Sequence, residues 1–203
     1  MQQGARAASN YKIAQDFQNL LNYHKGTAAL EYEAVSLQVQ SITKLHRAAD
    51  VRFRGLQALL HSSIHSDLYS GRALTDGPTE EHHIFPRAAL KRAGFGVDLI
   101  DSIANKVPIS KETNRSLSDR PPVEAFQKRL QQAKNSGTLD ALQSLMDDCL
   151  IPGRVIAPEW ILQFEVKNFP KFLESRAALI SKKLRSIVGD ALVEGPDVFD
   201  EDE

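Results

Sequence analysis

A short run, Thr79-Glu80-Glu81-His82-His83-Ile84-Phe85-Pro86, interrupts a chain otherwise patterned for helices. Its length suits one strand. Ile84 and Phe85 can anchor that strand in a core, and Pro86, which has no N–H to give a ladder, ends it. Upstream, residues 11 to 62 read as helical. Ile13, Phe17, Leu20 and Leu21 recur at helical spacing, as do Leu30, Val35, Val39, Ile42 and Leu45, then Phe53, Leu56, Leu59 and Leu60. Lys25-Gly26-Thr27 marks a stop and restart between helices, and Gly71 and Asp76-Gly77-Pro78 punctuate the chain before the strand. A second run rich in β-branched residues, 102–110 (SIANKVPIS), reads as the partner strand, with Asn105 inside it. Between the two, Arg87 to Ala93 reads as one short helix stopped by Gly94.

The pattern after the second run is helical again. Ser110 can cap a short helix over Lys111 to Leu117. Pro121-Pro122 starts another over Val123 to Ala133, which Gly137 ends, and further helices are predicted around Leu139–Leu150, Pro158–Phe169 and Lys171–Leu192. The expected fold class is therefore α+β and mostly helical. It has a helical flank over 1–73, a small two-stranded core over 74–130, a C-terminal helical flank over 131–192 and an acidic, disordered tail over 193–203.

Bulk properties remove several classes of function. The 203 residues can bury a real core, and 42% hydrophobic with 25% charged residues is an ordinary globular composition. Cys149 is the single cysteine, which rules out an internal disulfide and a cysteine zinc ribbon and suits a cytoplasmic location. No apolar run is long enough to span a membrane. The opening MQQGARAASNYK has no apolar signal region and reads as the start of an excised fragment.

Four residues in the central unit carry candidate chemistry. His83, on the rigid edge before Ile84-Phe85-Pro86, can serve as a general base, because an imidazole of pKa ~6.5 is often neutral at pH 7. His82 can hold a metal through a neutral ring nitrogen. Neighbours on a regular strand point to opposite faces, so sharing one site predicts a bulge or irregularity between the two histidines. Asn114 offers an amide oxygen to a hard cation, and Asn105 can hydrogen-bond a loop through donors and acceptor alike. Each residue alone has a plainer reading as a surface, core or turn residue. The four together are the parts of a one-metal phosphodiesterase site.

The stretches EHHIFPRAAL, DSIANKVPIS and ETNRSLSDRPP resemble the HNH nucleases, also called ββα-metal or His-Me finger enzymes. The nearest flavour resembles the C-terminal nuclease half of modification-dependent restriction proteins of the GmrSD and SspE type, over Glu80 to Phe126. The resemblance implies a ββα-metal core flanked by helices, with His83 as base, His82 and Asn114 on the metal, and Asn105 steadying the loop that bears His83. It further implies a DNA endonuclease of an antiphage restriction system that leaves 5′ phosphate and 3′ hydroxyl ends. Arg115, beside Asn114, is then expected at the phosphate. His82 stands where many relatives have aspartate. The expected cofactor is one divalent ion, Mg²⁺ or Mn²⁺, with Ni²⁺ or Zn²⁺ also compatible with an imidazole ligand.

The expected partner is double-stranded DNA. Residues 81 to 130 hold nine basic and six acidic side chains, a local excess of +3 in a chain of net charge −1. Arg87, Lys91, Arg92, Lys106, Lys111 and Arg120 are the candidate backbone contacts. A homodimer would allow cleavage of both strands. Full-length relatives are expected to carry an N-terminal nucleotide-hydrolysing sensor domain, of which no phosphate-binding loop is seen here. Two rival readings are a binding module with a decayed nuclease centre and a nuclease toxin with an immunity partner.

Overall fold

The computed structural model describes residues 18, 22, 25–27, 39–74, 77–117 and 121–188. Two compact units divide the chain, Met1–Val35 and Ser36–Glu203. In the first, the predicted stop at residues 25–27 is a turn. Gly26 has φ +68°, and the Thr27 N–H and hydroxyl both donate to the Asn22 carbonyl at 3.0 Å. The remaining helical periodicity of residues 11–38 and the acidic tail lie outside the described residues.

The second unit is mostly helical around one small sheet. Helix α1 (Val39–Lys44) is followed by α2 (Val51–Ser63), whose start is capped by Asp50 accepting the Arg52 N–H at 2.8 Å. Strand β1 (Thr79–His83) leads through α3 (Arg87–Arg92) and α4 (Val97–Ile100) to β2 (Lys106–Ser110). Then come α5 (Lys111–Leu117), α6 (Pro122–Ser136), α7 (Leu139–Asp148) and the long α8 (Phe169–Val188). The two strands are antiparallel, in register from Thr79↔Ser110 to His83↔Lys106. Ser110 caps α5 as predicted, its hydroxyl accepting the Thr113 N–H at 3.1 Å. Gly94 and Gly137, at φ +84° and +66°, stop the segments before them.

Three expectations are corrected. Asn105 does not lie in a strand: residues Ile103–Asn105 form a 3₁₀ turn that delivers Asn105 to the first residue of β2. Ser102 starts that turn by accepting the Ala104 N–H, and the polar Asn105 side chain finds its partners in the loop bend rather than across a ladder. The region 158–169 holds two 3₁₀ turns, Trp160–Phe164 and Val166–Asn168, in place of one helix. There the Trp160 indole and the Gln163 amide both donate to the Pro152 carbonyl, while Trp160 and Phe164 turn inward. The bulge expected between His82 and His83 is absent, since the ladder pairs each of them with its own partner, Val107 and Lys106.

One hydrophobic core joins these elements. It runs from Ile42 and Leu60 through Ile84, Phe85, Val107 and Ile109 to Phe126, Phe164, Phe172 and Ile180. Phe85 packs into its aromatic cluster, with ring centroids 5.0 Å from Phe172, 5.1 Å from Phe169 and 6.5 Å from Phe164. Burying a side chain of this size contributes roughly 1.5–3 kcal/mol. The strand end bearing His83 is thus rooted in the core two residues later, as the apolar pair Ile84-Phe85 predicted.

Candidate functional site

Strand alternation sorts the polar residues of β1 into two sets. Glu81 joins the side of α2: its carboxylate accepts from Gln57 at 2.6 Å and pairs with Lys106 at 3.0 Å. Glu80 and His82 join the side of α5, where one residue, Asn114, meets both. The His82 ring N–H at Nδ1 donates to Asn114 Oδ1 at 2.9 Å, and Asn114 Nδ2 donates to Glu80 Oε2 at 2.7 Å. Glu80 can only accept, so it fixes which end of the amide faces the histidine. Tyr69 packs edge-on against the His82 ring at 5.3 Å. Tyr69 is held in turn by buried Asp67, whose carboxylate accepts the N–H groups of Tyr69, Ser70 and Ser110.

His83 closes the strand. Its Nε2–H donates to Asp101 Oδ1 at 2.9 Å, and Arg87 holds the other oxygen of Asp101, also at 2.9 Å. Both histidines line a single open cleft of about 560 Å³, together with Asn114, Pro86, Arg87 and Lys91. No bulge is needed for this, because β1 ends at His83 and the cleft reaches round the strand end. Burial pushes both imidazoles below the ordinary histidine range, opposed at His82 by the hydrogen bond to Asn114 and at His83 by the one to Asp101. Burial thus favours the neutral form of both rings, the form a ligand and a base require.

Asn105 is wholly buried and touches no solvent. Its Oδ1 accepts the Phe85 N–H at 2.9 Å, and its Nδ2 donates to the carbonyls of Ile100 at 2.9 Å and Phe85 at 3.2 Å. It acts on the backbone just after His83 and just before Asp101, not on a substrate. The carbonyls flanking it, Ala104 and Lys106, both accept from Arg176 Nη1 of α8, at 2.8 and 2.7 Å. Arg176 is fully buried, it forms no ion pair with a carboxylate among the described residues, and burial lowers its pKa to about 10. Its Nε has no partner among the described residues.

No protein-family model and no solved structure matches this chain. An uncharacterized protein of Methanocaldococcus jannaschii, MJ0686, is 24% identical over 199 aligned residues, which cover 87% of this chain and 33% of that protein. The chain thus spans about a third of the length of the curated relative it matches.

The other sequence candidates are scattered. Arg115 is exposed and does not line the cleft. Lys106 is tied to Glu81 and sits 4.8 Å over the Phe53 ring, so its charge is already engaged. Lys91, Arg92 and Lys111 are exposed, and Arg120 lies outside the described residues. Two site residues escaped the sequence reading. Glu80 was detectable from strand alternation, two positions from His82. Asp101 carried no local signal, since only the fold brings it to His83.

Helices of the described residues include none long and apolar enough to cross a membrane. Among the described residues no three His, Cys, Asp or Glu side chains converge as a metal cluster. His82 and Asn114 offer an imidazole nitrogen and an amide oxygen 2.9 Å apart, donor types that suit a divalent ion. The ring N–H now points at that oxygen, so an ion held by both would need the proton to leave and the two groups to turn toward it.

Proposed function

We propose that this chain is a metal-dependent DNA endonuclease of the HNH, ββα-metal type. The observation that carries the reading is the convergence of His82, His83 and Asn114 on one cleft at the end of a two-stranded antiparallel sheet, with Asn105 buried beneath it. His83 takes the proton of a water directed at the scissile phosphorus. His82 and Asn114 would hold a single divalent ion, which would supply stabilisation of the charge that develops at phosphorus.

Lys91 and Arg87, the latter through the N–H groups that Asp101 does not engage, stand on the wall of the same cleft for the phosphate contacts nearest the reaction, and Arg92 and Lys111 add exposed charge for the duplex backbone. These contacts position DNA without reading its sequence. One such site cuts one strand, so a double-strand break takes two copies or two events. A restriction role, cytoplasmic action and a sensing domain elsewhere in the full protein belong to the same proposal. The chain's coverage of a third of its relative is compatible with a larger protein around the nuclease.

The test is plasmid cleavage with Mg²⁺, Mn²⁺, Ni²⁺ and Zn²⁺, comparing wild type with His83→Ala. Wild type is expected to nick or cut with at least one metal, and His83→Ala to lose roughly 10²–10⁴-fold in rate with DNA affinity retained. No cleavage by wild type with any of the four metals would sink the proposal, and equal rates would remove His83 as the base.

A further inference from the structure

His83 offers two ring nitrogens, and its partner at one of them decides what the other can do. Nε2 is engaged by Asp101 Oδ1 at 2.9 Å. A carboxylate only accepts, so Nε2 must carry the hydrogen, and in a neutral ring Nδ1 is then the bare nitrogen. Asp101 is itself held at two points, by His83 on one oxygen and by Arg87 at 2.9 Å on the other. Its backbone is held as well. The Asn105 side chain grips the Ile100 carbonyl, one residue before Asp101, and both the N–H and the carbonyl of Phe85, two residues after His83. A single buried amide therefore sets the separation of the two chain segments that carry the imidazole and the carboxylate.

We propose that Asp101 is the positioning residue for His83, holding its imidazole in the Nε2–H form with Nδ1 free to receive the proton of the attacking water. This deepens the endonuclease reading and rests on it. When Nδ1 takes the proton from water, the ring becomes an imidazolium whose Nε2–H still faces the Asp101 carboxylate, so the cation forms against a fixed anion and the hydroxide is released toward phosphorus. Asp101 touches neither substrate nor metal in this scheme. Arg87 keeps the second carboxylate oxygen occupied, so that Oδ1 cannot swing away from the ring.

The experiment uses the full chain, with the ring nitrogens of His83 followed by ¹H–¹⁵N NMR in metal-free protein, and with Mg²⁺- or Mn²⁺-dependent plasmid cleavage measured alongside. Wild type is expected to show the Nε2–H tautomer. Asp101→Asn, whose amide can donate to Nε2 and stabilise the opposite tautomer, is expected to shift that signature. It should also lower kcat by roughly ten- to hundred-fold, with the KM for DNA changed by less than about twofold. Asp101→Glu keeps the carboxylate and should recover part of the lost kcat. Arg87→Gln should instead raise the KM for DNA more than it lowers kcat. A wild-type Nδ1–H tautomer overturns the proposal whatever the variants do, including any that fail to fold. So does an Asp101→Asn enzyme with unchanged kcat, or an Arg87→Gln enzyme that reproduces the Asp101→Asn loss in kcat with the tautomer intact. An inactive wild type would overturn the endonuclease reading instead, and the tautomer measurement would still report on the Asp101 contact.

Discussion

Replacing Asn105 with alanine should loosen the two chain segments that carry His83 and Asp101, and the magnitude follows from the contacts. The side chain is fully buried and makes three hydrogen bonds, to the Phe85 N–H, the Phe85 carbonyl and the Ile100 carbonyl. Alanine leaves the Phe85 N–H without its side-chain acceptor, a desolvation loss of ~1–3 kcal/mol, and removes two donors from carbonyls at ~1 kcal/mol each. The expected loss of unfolding free energy is about 3–5 kcal/mol, a large part of the ~5–15 kcal/mol typical of a folded domain. For a unit of this size it corresponds to a fall in Tm of roughly 6–20 °C. Urea denaturation of wild type and Asn105→Ala, with m-values compared, measures it. Amide exchange should report the local opening at Ile84, Phe85 and Asp101 ahead of the rest of the core. A loss below ~1 kcal/mol with unchanged exchange at those positions would refute the clamp and, with it, the account of how His83 and Asp101 are held together.

Four further outcomes are expected. Because burial lowers the His83 pKa, the acid limb of the cleavage pH profile should fall below ~6.5, and an acid limb at pH 7 or above would contradict the placement of the base. The same lowering at His82 and His83 means that the unfolded chain takes up protons before the folded one, so stability is full above pH ~6.5 and declines as pH falls through the folded values, which acid titration of Tm checks. Divalent ion at 100 times its Kd should stabilise the wild type by ~2.7 kcal/mol in a thermal-shift assay, and Asn114→Ala should lose most of that gain; a wild type unmoved by Mg²⁺, Mn²⁺, Ni²⁺ and Zn²⁺ would remove the His82–Asn114 pair as ligands. Gly137→Ala meets nothing within 4 Å, so its cost is the backbone strain of φ +66° alone, about 1 kcal/mol in denaturation, and a neutral or stabilising result would contradict the left-handed cap that ends α6.

Local chemistry was legible in the sequence. The strand before Pro86, the Ser110 cap, the stops at Gly94 and Gly137 and the inward anchoring of Ile84-Phe85 depend on interactions within a few residues, where sterics and single hydrogen bonds decide the outcome. The pattern also picked out His82, His83, Asn105 and Asn114 as residues whose chemistry asks for partners. It misread residues 158–169, where tertiary packing of Trp160 and Phe164 overrides an ordinary helical pattern. It also required a bulge at the histidines, because alternation along a strand says nothing about a cleft that reaches round the strand's end.

The partners themselves belong to the tertiary structure. His83 meets Asp101 across 18 residues, Asn105 meets Phe85 across 20, His82 meets Asn114 across 32 and Arg176 meets Ala104 across 72. No local rule joins residues so far apart, because each contact forms only once the loops between them have closed and the shared core holds them closed. The sequence by itself singled out side chains with chemistry to offer and the kind of element on which His82, His83 and Asn114 sit, but not the turn that carries Asn105. The packed fold decided which nitrogen of His83 is left free, which end of Asn114 faces His82, and that Asn105 serves the backbone and never the substrate.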